Sequence, residues 1–433
     1  MKSVHAAFVK GSLHGRFRSV YCTTINQEPL PSYYAVAAGG VLKYETATFK
    51  KFTAVVGGSF TYNLSSSDLG VRDSLSGARS RYELQMMDIN NPYNTNNMFR
   101  LDWLCLKYSF SKSYLTWGKQ YVVTPFINQQ DLYMRSSVVD GMYSHLVVND
   151  NLLIEAAYIY GISASATTNW GHVSESIGVF PNGVNVNGSP GDYANNLHGG
   201  GLAFLGVHGS VRKNMKFEVW NQYVHQIFNT ALLQVDYSLS KIGQHTFIIS
   251  LQAIGQNHIG NGGNANVYKA YYSPDNNALI MGGRIALRSS KTDLSLNYTR
   301  ITSDGRYQMP REWGREPMFT FLMREQIEGA GNVHAASLHG IHTFTKLSIK
   351  VDAGIGYYKM PDVLNSRLNK YGMPTYMQYY VLGRYSFRKK LKGLDVELVY
   401  MYKQKLGDSY GIYKYVINRV NMSHVSAGFR FTF

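Results

Sequence analysis

The sequence is poor in the features that define several protein classes. Cys22 and Cys105 are the only cysteines in 433 residues, which excludes a small disulfide-stabilised scaffold. No stretch of about 20 apolar residues is present, which excludes a bundle of transmembrane helices. Acidic residues are also scarce, since 27 Asp and Glu stand against 43 Lys and Arg, a net charge of +16. Yet 45% of the residues are hydrophobic, too many for a disordered chain.

The N-terminal residues MKSVHAAFVKGSLHGRF lack the charged segment, apolar segment and cleavage site of a signal peptide. We therefore expect either a cytoplasmic protein or a numbering that begins after cleavage. The basic residues form no long run or stripe, so a nucleic-acid partner is not expected. Their densest group is interpreted as a turn between strands and comprises Arg388, Lys389, Lys390 and Lys392.

Alternation of apolar and polar residues dominates the sequence. In the last segment, Phe429, Phe431 and Phe433 share one face, and Arg430 and Thr432 share the other. A period of two predicts β-strands. Roughly eighteen such segments occur, near residues 4–21, 33–47, 52–64, 98–111, 112–122, 141–148, 151–163, 199–212, 214–225, 229–240, 244–256, 278–289, 291–302, 333–345, 347–358, 375–388, 393–405 and 421–433.

The lengths of these strands and of their connections indicate a membrane barrel. A strand of about 13 residues, tilted by about 45°, spans a hydrocarbon layer of about 30 Å. Short turns alternate with long polar loops near residues 65–97, 123–140, 164–198, 257–277 and 303–332. This alternation is typical of bacterial outer-membrane barrels. We predict that residues 1–433 form a single antiparallel β-barrel of about 18 strands in the outer membrane of a Gram-negative bacterium, without a plug domain and with both termini in the periplasm.

If the apolar face contacts lipid, the alternate polar side chains face the lumen, and bases outnumber acids among them. Such a lumen would carry a positive field that concentrates anions. The opposite interpretation, that lumen residues must be polar and the excess of bases is incidental, stays open. The inward bases considered as a pathway are Arg16, Arg18, Arg284, Arg288, Arg384 and Lys403.

The segment 303–332 mixes arginines and glutamates with the large aromatic residues Trp313, Phe319 and Phe321. We predict that it folds into the barrel mouth together with segment 123–140, because packing of these aromatic side chains against the lumen wall would offset the conformational entropy lost on ordering. Its arginines would suit bidentate recognition of carboxylates. Pairing between its own arginines and glutamates is the alternative explanation.

Several motifs together resemble one known family. They are YYAVAAGGVLKYET from Tyr33, SSDL from Ser66, RYELQMMDINNPYN from Arg81, GKQYVVTPFINQQD from Gly118, SIGVFPNGVN from Ser176, NYTRITSDGRYQMPREWGRE from Asn297 and LNKYGMP from Leu368. With these motifs, which cover most of the chain, the sequence resembles the OprD family of outer-membrane porins, the substrate-specific carboxylate channels, and especially its Bacteroidota branch.

The resemblance implies an eighteen-stranded barrel whose third and seventh outer loops fold inward, and a ladder of basic residues that guides a carboxylate. It implies a porin for passive, partly selective diffusion of small anionic or carboxylate-bearing solutes, with no cofactor, no bound metal and no catalytic residue. The constriction residues carried over are Asp131, Arg135, Arg306, Arg311, Glu312, Arg315 and Arg324. The ladder would be drawn from the inward bases named above.

Three departures from the family pattern affect the expected width and charge of the constriction. Leu132-Tyr133 follows Asp131 where relatives have a small residue and a base. Ser136-Ser137 replaces a pair that contains proline, and Met323 stands where proline is usual.

Two other functions stay open from the sequence. In the first alternative, the barrel is an anchor for a surface lipoprotein or a secretion complex. An outer-membrane hydrolase is less expected, because His424 and Ser426 lie on the lumen face and not at the lipid rim. The expected partners are outer-membrane lipid and small anionic solutes, and assembly into a homo-oligomer is left open.

Overall fold

The computed structural model describes residues 3–129 and 134–433. Within them, eighteen strands form one closed ring, and a two-residue strand, β8, lies outside it. The strands are β1 Ser12–Asn26, β2 Tyr33–Glu45, β3 Phe52–Ser66, β4 Met98–Phe110, β5 Ser113–Gln120, β6 Val138–Asn149, β7 Leu152–Ser163, β8 Gly171–His172, β9 Leu202–Arg212, β10 Met215–Val224, β11 Phe228–Ile242, β12 His245–His258, β13 Asn277–Arg288, β14 Thr292–Ile301, β15 Val333–Phe344, β16 Ile349–Lys359, β17 Tyr376–Ser386, β18 Leu394–Lys405 and β19 Met422–Thr432.

The start of the first strand was predicted wrongly. Residues Val4–Val9 form a short helix, α1, because the Ser3 hydroxyl accepts a hydrogen bond from the Ala6 amide at 3.1 Å and caps it. The strand predicted near residues 4–21 therefore begins only at Ser12. Single 3₁₀ turns occur at Leu84–Met86, Ser174–Ser176, Arg311–Trp313, Lys389–Leu391 and Tyr413–Tyr415. No helix in the described residues is long and apolar enough to cross a membrane.

The sheet closes on itself through its first and last strands. Each ring strand pairs antiparallel with the next one along the chain, and β1 pairs with β19 from Arg16 opposite Thr432 to Asn26 opposite Met422. A closed ring leaves no strand edge unpaired, which is the condition for a sheet to lie in hydrocarbon. The prediction of a closed barrel of about 18 strands is confirmed.

The two faces of the sheet differ as the alternation predicted. In β12, Ile249 and Leu251 are exposed on the outside, whereas Gln252 and Gln256 are buried inside. Large exposed apolar side chains recur at alternate positions around the ring. An outer face of this kind would be unfavourable in water and is suited to lipid.

The connections are segregated between the two ends of the barrel. One end carries the turn 387–393, confirming the turn predicted at Arg388 to Lys392, together with seven other short turns, α1 and the end of β19. The other end carries nine connections in the described chain, L1 to L9, formed by residues 27–32, 67–97, 121–137, 164–201, 225–227, 259–276, 302–332, 360–375 and 406–421.

Candidate solute pathway

Loop L7 folds into the barrel and follows its inner wall from β12 to β18. Polar side chains that point inward from four strands donate hydrogen bonds to its backbone carbonyls. These bonds run from Gln256 Nε2 to Gln308 (2.7 Å), Gln252 Nε2 to Pro317 (3.0 Å), Tyr358 Oη to Thr320 (2.8 Å), Gln378 Nε2 to Met323 (2.5 Å) and Lys403 Nζ to Arg324 (2.8 Å). The loop is therefore a fixed lining of the lumen on this side.

Aromatic packing stabilises the inserted loop. Trp313 is fully buried, and its indole Nε1 donates to Ser176 Oγ of L4 at 2.8 Å. Phe319 and Phe321 are partly buried. Burial of a large side chain is worth about 1.5–3 kcal/mol, more than the 1 kcal/mol or so of an exposed ion pair.

Loops L3 and L7 meet at a close junction. Asn128 Nδ2 donates to the Arg315 carbonyl at 2.9 Å, and the Arg315 amide donates to Asn128 Oδ1 at 2.9 Å. Gly314, the residue before Arg315, lies directly against Asn128. A Cβ at position 314 would be 2.6 Å from Asn128 Oδ1. The Ser137 hydroxyl also donates to the Glu312 carbonyl. Glycine is therefore required at this approach.

Arg306, a predicted constriction residue, lies inside the packing between loops. It is 3% exposed. Its guanidinium donates to the carbonyls of Arg367 (3.1 Å), Val184 (2.7 Å) and Asn185 (3.0 Å), which ties L7 to L8 and L4. Burial lowers the pKa of Arg306 to about 10.

Glu312 and Arg135 are buried in the same way. Glu312 Oε1 accepts hydrogen bonds from the amides of Gly178 (2.5 Å) and Val179 (3.1 Å), and burial raises its pKa. Arg135 Nη2 donates to the Met87 carbonyl of L2 at 2.6 Å, and burial lowers the pKa of Arg135 to about 10. Both side chains hold loops together.

The remaining predicted constriction residues differ in exposure. Arg315 is exposed, with its guanidinium 5.6 Å from the Phe321 ring centroid. Arg324 is buried, 5.7 Å from the Tyr82 ring centroid. Arg311 lies 4.1 Å from the Tyr371 ring centroid and faces a cavity described below. Asp131 lies outside the described residues.

Three buried glutamates of L7 form an acidic cluster. Glu316 accepts hydrogen bonds from the amides of Ile327 and Glu328, and burial next to Glu325 raises its pKa. Glu325 accepts a hydrogen bond from Tyr376 Oη at 2.9 Å, and burial raises its pKa to about 7. Glu328 lies 3.5 Å from Arg311 Nε and 4.0 Å from Lys370 Nζ. The four glutamates of L7, Glu312 included, are thus all buried.

A cavity of about 570 Å³ opens between L2, L4, L7, L8 and L9. We call it the vestibule. Its lining contains one acid among the described residues, Glu328, whose side chain is 1% exposed. The bases that line it are Arg72, Arg79, Arg81, Arg311, Lys414 and Arg419. Low-dielectric walls concentrate the field of such a cluster, which makes the electrostatic potential in the vestibule positive.

Of these bases, only Arg311 was a predicted site residue. Arg79 and Arg81 belong to the sequence GARSRYE of L2, and Lys414 and Arg419 belong to L9. Three bases within ten residues of one loop were the available signal. Nothing in the sequence indicates that L2 and L9 converge above the lumen.

The basic residues continue below the vestibule. The ring centroids of Tyr82 in L2 and His424 in β19 lie 4.7 Å apart. The guanidinium carbons of Arg81 and Arg324 lie 5.2 and 5.7 Å from the Tyr82 ring centroid. Burial alone would raise the pKa of Tyr82, but Lys403, Arg81 and Arg324 together hold the pKa below its ordinary value. Three cations therefore converge on one buried ring.

The predicted ladder candidates divide into two groups. Arg16 and Arg18 on β1, Arg384 on β17 and Lys403 on β18 lie on one continuous wall, formed by β17, β18, β19 and β1. Within this wall Arg384 Nε donates to a Glu397 carboxylate oxygen at 2.7 Å. The other two, on β13, both bond to one carboxylate: Arg284 Nη2 and Arg288 Nε lie 3.1 and 2.7 Å from the Asp293 oxygens.

On the ladder wall, Arg18 lies directly opposite Arg430 in the register of β1 and β19. Like charges at such positions repel each other. Arg430 Nη2 donates to Asp395 at 2.7 Å, and Arg18 donates to the Met134 carbonyl of L3. Arg18 therefore links the wall to the inward part of L3, beside a small cavity of about 80 Å³.

The described parts of the chain, 3–129 and 134–433, contain no group of three His, Cys, Asp or Glu side chains placed to hold a metal ion. The chemistry available in the pathway is that of fixed cations, hydroxyl groups and amides. Such groups can bind an anion through charge and hydrogen bonds.

A closed antiparallel barrel with an apolar outer face, an inserted loop and a charged cavity has the architecture of outer-membrane channels. Solved structures share this fold. The chain is similar to Pseudomonas aeruginosa OpdK with vanillate, with 12% identity and a TM-score of 0.74 over 98% of this chain and 99% of that one.

Two further solved structures are similar to the same degree. Pseudomonas aeruginosa OccK9 (OpdG) has 12% identity and a TM-score of 0.74 over 99% of each chain. Acinetobacter baumannii OccAB1 has 12% identity and a TM-score of 0.74 over 100% of this chain and 99% of that chain. No protein-family model and no curated protein matches the sequence. The protein therefore has the fold of the OprD-family porins, as the sequence motifs implied.

Proposed function

We propose that the protein is an OprD-type porin of a Gram-negative outer membrane that lets small anionic solutes diffuse passively. The short-turn end, which carries the described chain ends, would face the periplasm, and L1 to L9 would face the outside. Short periplasmic turns and long outer loops are the usual arrangement of such barrels.

The observation that carries the proposal is the charge of the vestibule. Six bases and one buried acid line its described surface, and the ladder wall continues below it with Lys403, Arg18 and Arg384. A solute carboxylate would meet cationic donors at successive depths, each binding weakly enough for the solute to leave. OpdK, which has the same fold, was crystallised with vanillate, a carboxylate.

Liposome swelling tests this function. Proteoliposomes are transferred into isosmotic solutions of lactate, glycerol or the lysine cation, and the swelling rate is recorded. We expect faster uptake of lactate than of the two other solutes, with lysine the slowest. Equal rates for all three would contradict anion preference, and no swelling above protein-free liposomes would contradict the channel itself.

A further inference from the structure

Two groups of guanidinium nitrogens in the vestibule differ in their partners. Arg311 Nη2 donates to the Pro181 carbonyl at 2.7 Å, and Arg72 Nη1 donates to the Gly77 carbonyl at 3.0 Å. By contrast, Arg79 Nε and Arg419 Nη1 are buried and have no hydrogen-bond partner in the described residues. A buried donor without a partner is unfavourable, so an acceptor is expected to reach both atoms.

These nitrogens belong to a compact cationic cluster. Burial and the neighbouring charges of Arg81 and Arg311 lower the pKa of Arg419 to about 9. The only acid lining the described vestibule, Glu328, is already close to Arg311 and Lys370. A single carboxylate would therefore leave most of this charge uncompensated.

We propose that the vestibule is a capture site for solutes that carry two or more anionic groups, with Arg79 and Arg419 as the donors that such a solute completes. The inference rests on the proposed channel function and adds the charge class of the solute. The cavity, at about 570 Å³, has room for a small organic polyanion. Its walls also contain Phe180, Met360 and Ile417, which suit a short carbon backbone between the anionic groups.

Calorimetry on the detergent-purified full chain at low ionic strength tests the inference. The probes are butyrate, glutarate and tricarballylate, which carry one, two and three carboxylates, and pyrophosphate as a polyanion without carbon. We expect affinity to rise with the number of anionic groups, with tricarballylate at least tenfold tighter than butyrate. Equal affinity for butyrate and tricarballylate would overturn the proposal.

The location is tested by the double variant Arg79→Gln/Arg419→Gln. We expect it to weaken tricarballylate binding at least tenfold and to leave butyrate binding little changed. The matched control, Lys389→Gln/Lys390→Gln, removes the same charge from an exposed turn at the opposite end of the barrel and should bind like the wild type. Equal losses in both double variants would overturn the assignment to the vestibule.

Heat-modifiable migration on gels reports whether each variant is folded. If the Arg79→Gln/Arg419→Gln variant does not fold, the milder variant Lys414→Gln, at an exposed base of the vestibule, replaces it. We expect Lys414→Gln to lower the affinity for tricarballylate measurably. An unchanged affinity would overturn the proposal. If the double variant also weakens pyrophosphate binding, the vestibule binds polyanions in general. If the double variant binds pyrophosphate as tightly as the wild type, the assignment of a polyanion site to the vestibule is contradicted.

The inference and the proposed function fail differently. A protein that binds tricarballylate in detergent and forms no conducting pore would contradict the channel function alone. A pore that conducts anions and binds mono- and polyanions equally would contradict the capture site alone.

Discussion

Two arginines of L7 and two arginines of L2 and L9 lie around the same barrel mouth with opposite sets of partners. Arg306 of L7 donates three hydrogen bonds to carbonyls, and Arg311 lies 3.5 Å from Glu328. Arg79 of L2 and Arg419 of L9 keep buried nitrogens that have no partner in the described residues. The comparison teaches that arginine-rich L7 mainly builds the wall, whereas arginines of the less conspicuous loops supply the free donors.

Shortening L7 is the strongest way to break this comparison. Replacing residues 310–326 with a short Gly-Ser linker should raise single-channel conductance several-fold, because the L7 backbone covers the wall from β12 to β18. Removing residues 265–268, an exposed part of L6, serves as the control and should change conductance little. Wild-type conductance in the shortened variant would mean that the narrowest point lies elsewhere.

Separate substitutions in the two groups should give separable effects. Arg306→Ala removes charged hydrogen bonds worth about 1.5–3 kcal/mol each and should lower the unfolding temperature, with the anion-to-cation permeability ratio little changed. Arg79→Gln/Arg419→Gln should lower the permeability ratio and change the unfolding temperature less. Thermal unfolding followed by circular dichroism and bilayer recordings measure both quantities. If Arg306→Ala altered selectivity more than the double variant, the division of roles would be wrong.

The junction of L3 and L7 offers a smaller perturbation. Gly314→Ala places a Cβ 2.6 Å from Asn128 Oδ1, so L3 must shift, and we expect a modest rise in conductance and in current noise. Gly255→Ala, where an added Cβ meets no atom within 4 Å, is the control for an alanine in the barrel. Indistinguishable recordings from the two variants would show that the junction tolerates the methyl group.

The smallest expected effect concerns pH and the acidic cluster of L7. Burial raises the pKa of Glu325 to about 7, above its ordinary value of 4.5. The folded state therefore binds the Glu325 proton more tightly than the unfolded state does. The contribution of this proton to the free energy of unfolding is fully present below a pH of about 4.5 and is lost as the pH rises through about 7. Glu325→Gln should reduce the decrease in unfolding temperature between pH 5 and pH 8. Glu175→Gln, at an exposed position in L4, should leave the decrease as in the wild type.

The barrel could be predicted because its signals are local. Period-two alternation and the lengths of the connections indicate strand number, closure and the two ends without knowledge of contacts. The exception is the N-terminal segment, where one Ser3 hydroxyl favours α1 over an extended strand.

The site was harder to predict because it depends on which loops converge. Arg135 and Arg306 occur in the expected loops, but carbonyls of L2, L4 and L8 surround their side chains. Those contacts join residues far apart in the chain, so no sequence window contains them. The same limit explains why Arg79 and Arg419 were missed.

The reversal potential across a planar bilayer under a tenfold KCl gradient tests the central claim most directly. The sign of this potential shows whether chloride or potassium permeates more readily, and the measurement needs neither a binding assay nor a chosen substrate. The account predicts a potential of the sign given by chloride permeation for the wild type, and a value closer to zero for Arg79→Gln/Arg419→Gln. A wild-type potential of the sign given by potassium would contradict the claim that the vestibule and the ladder wall select anions.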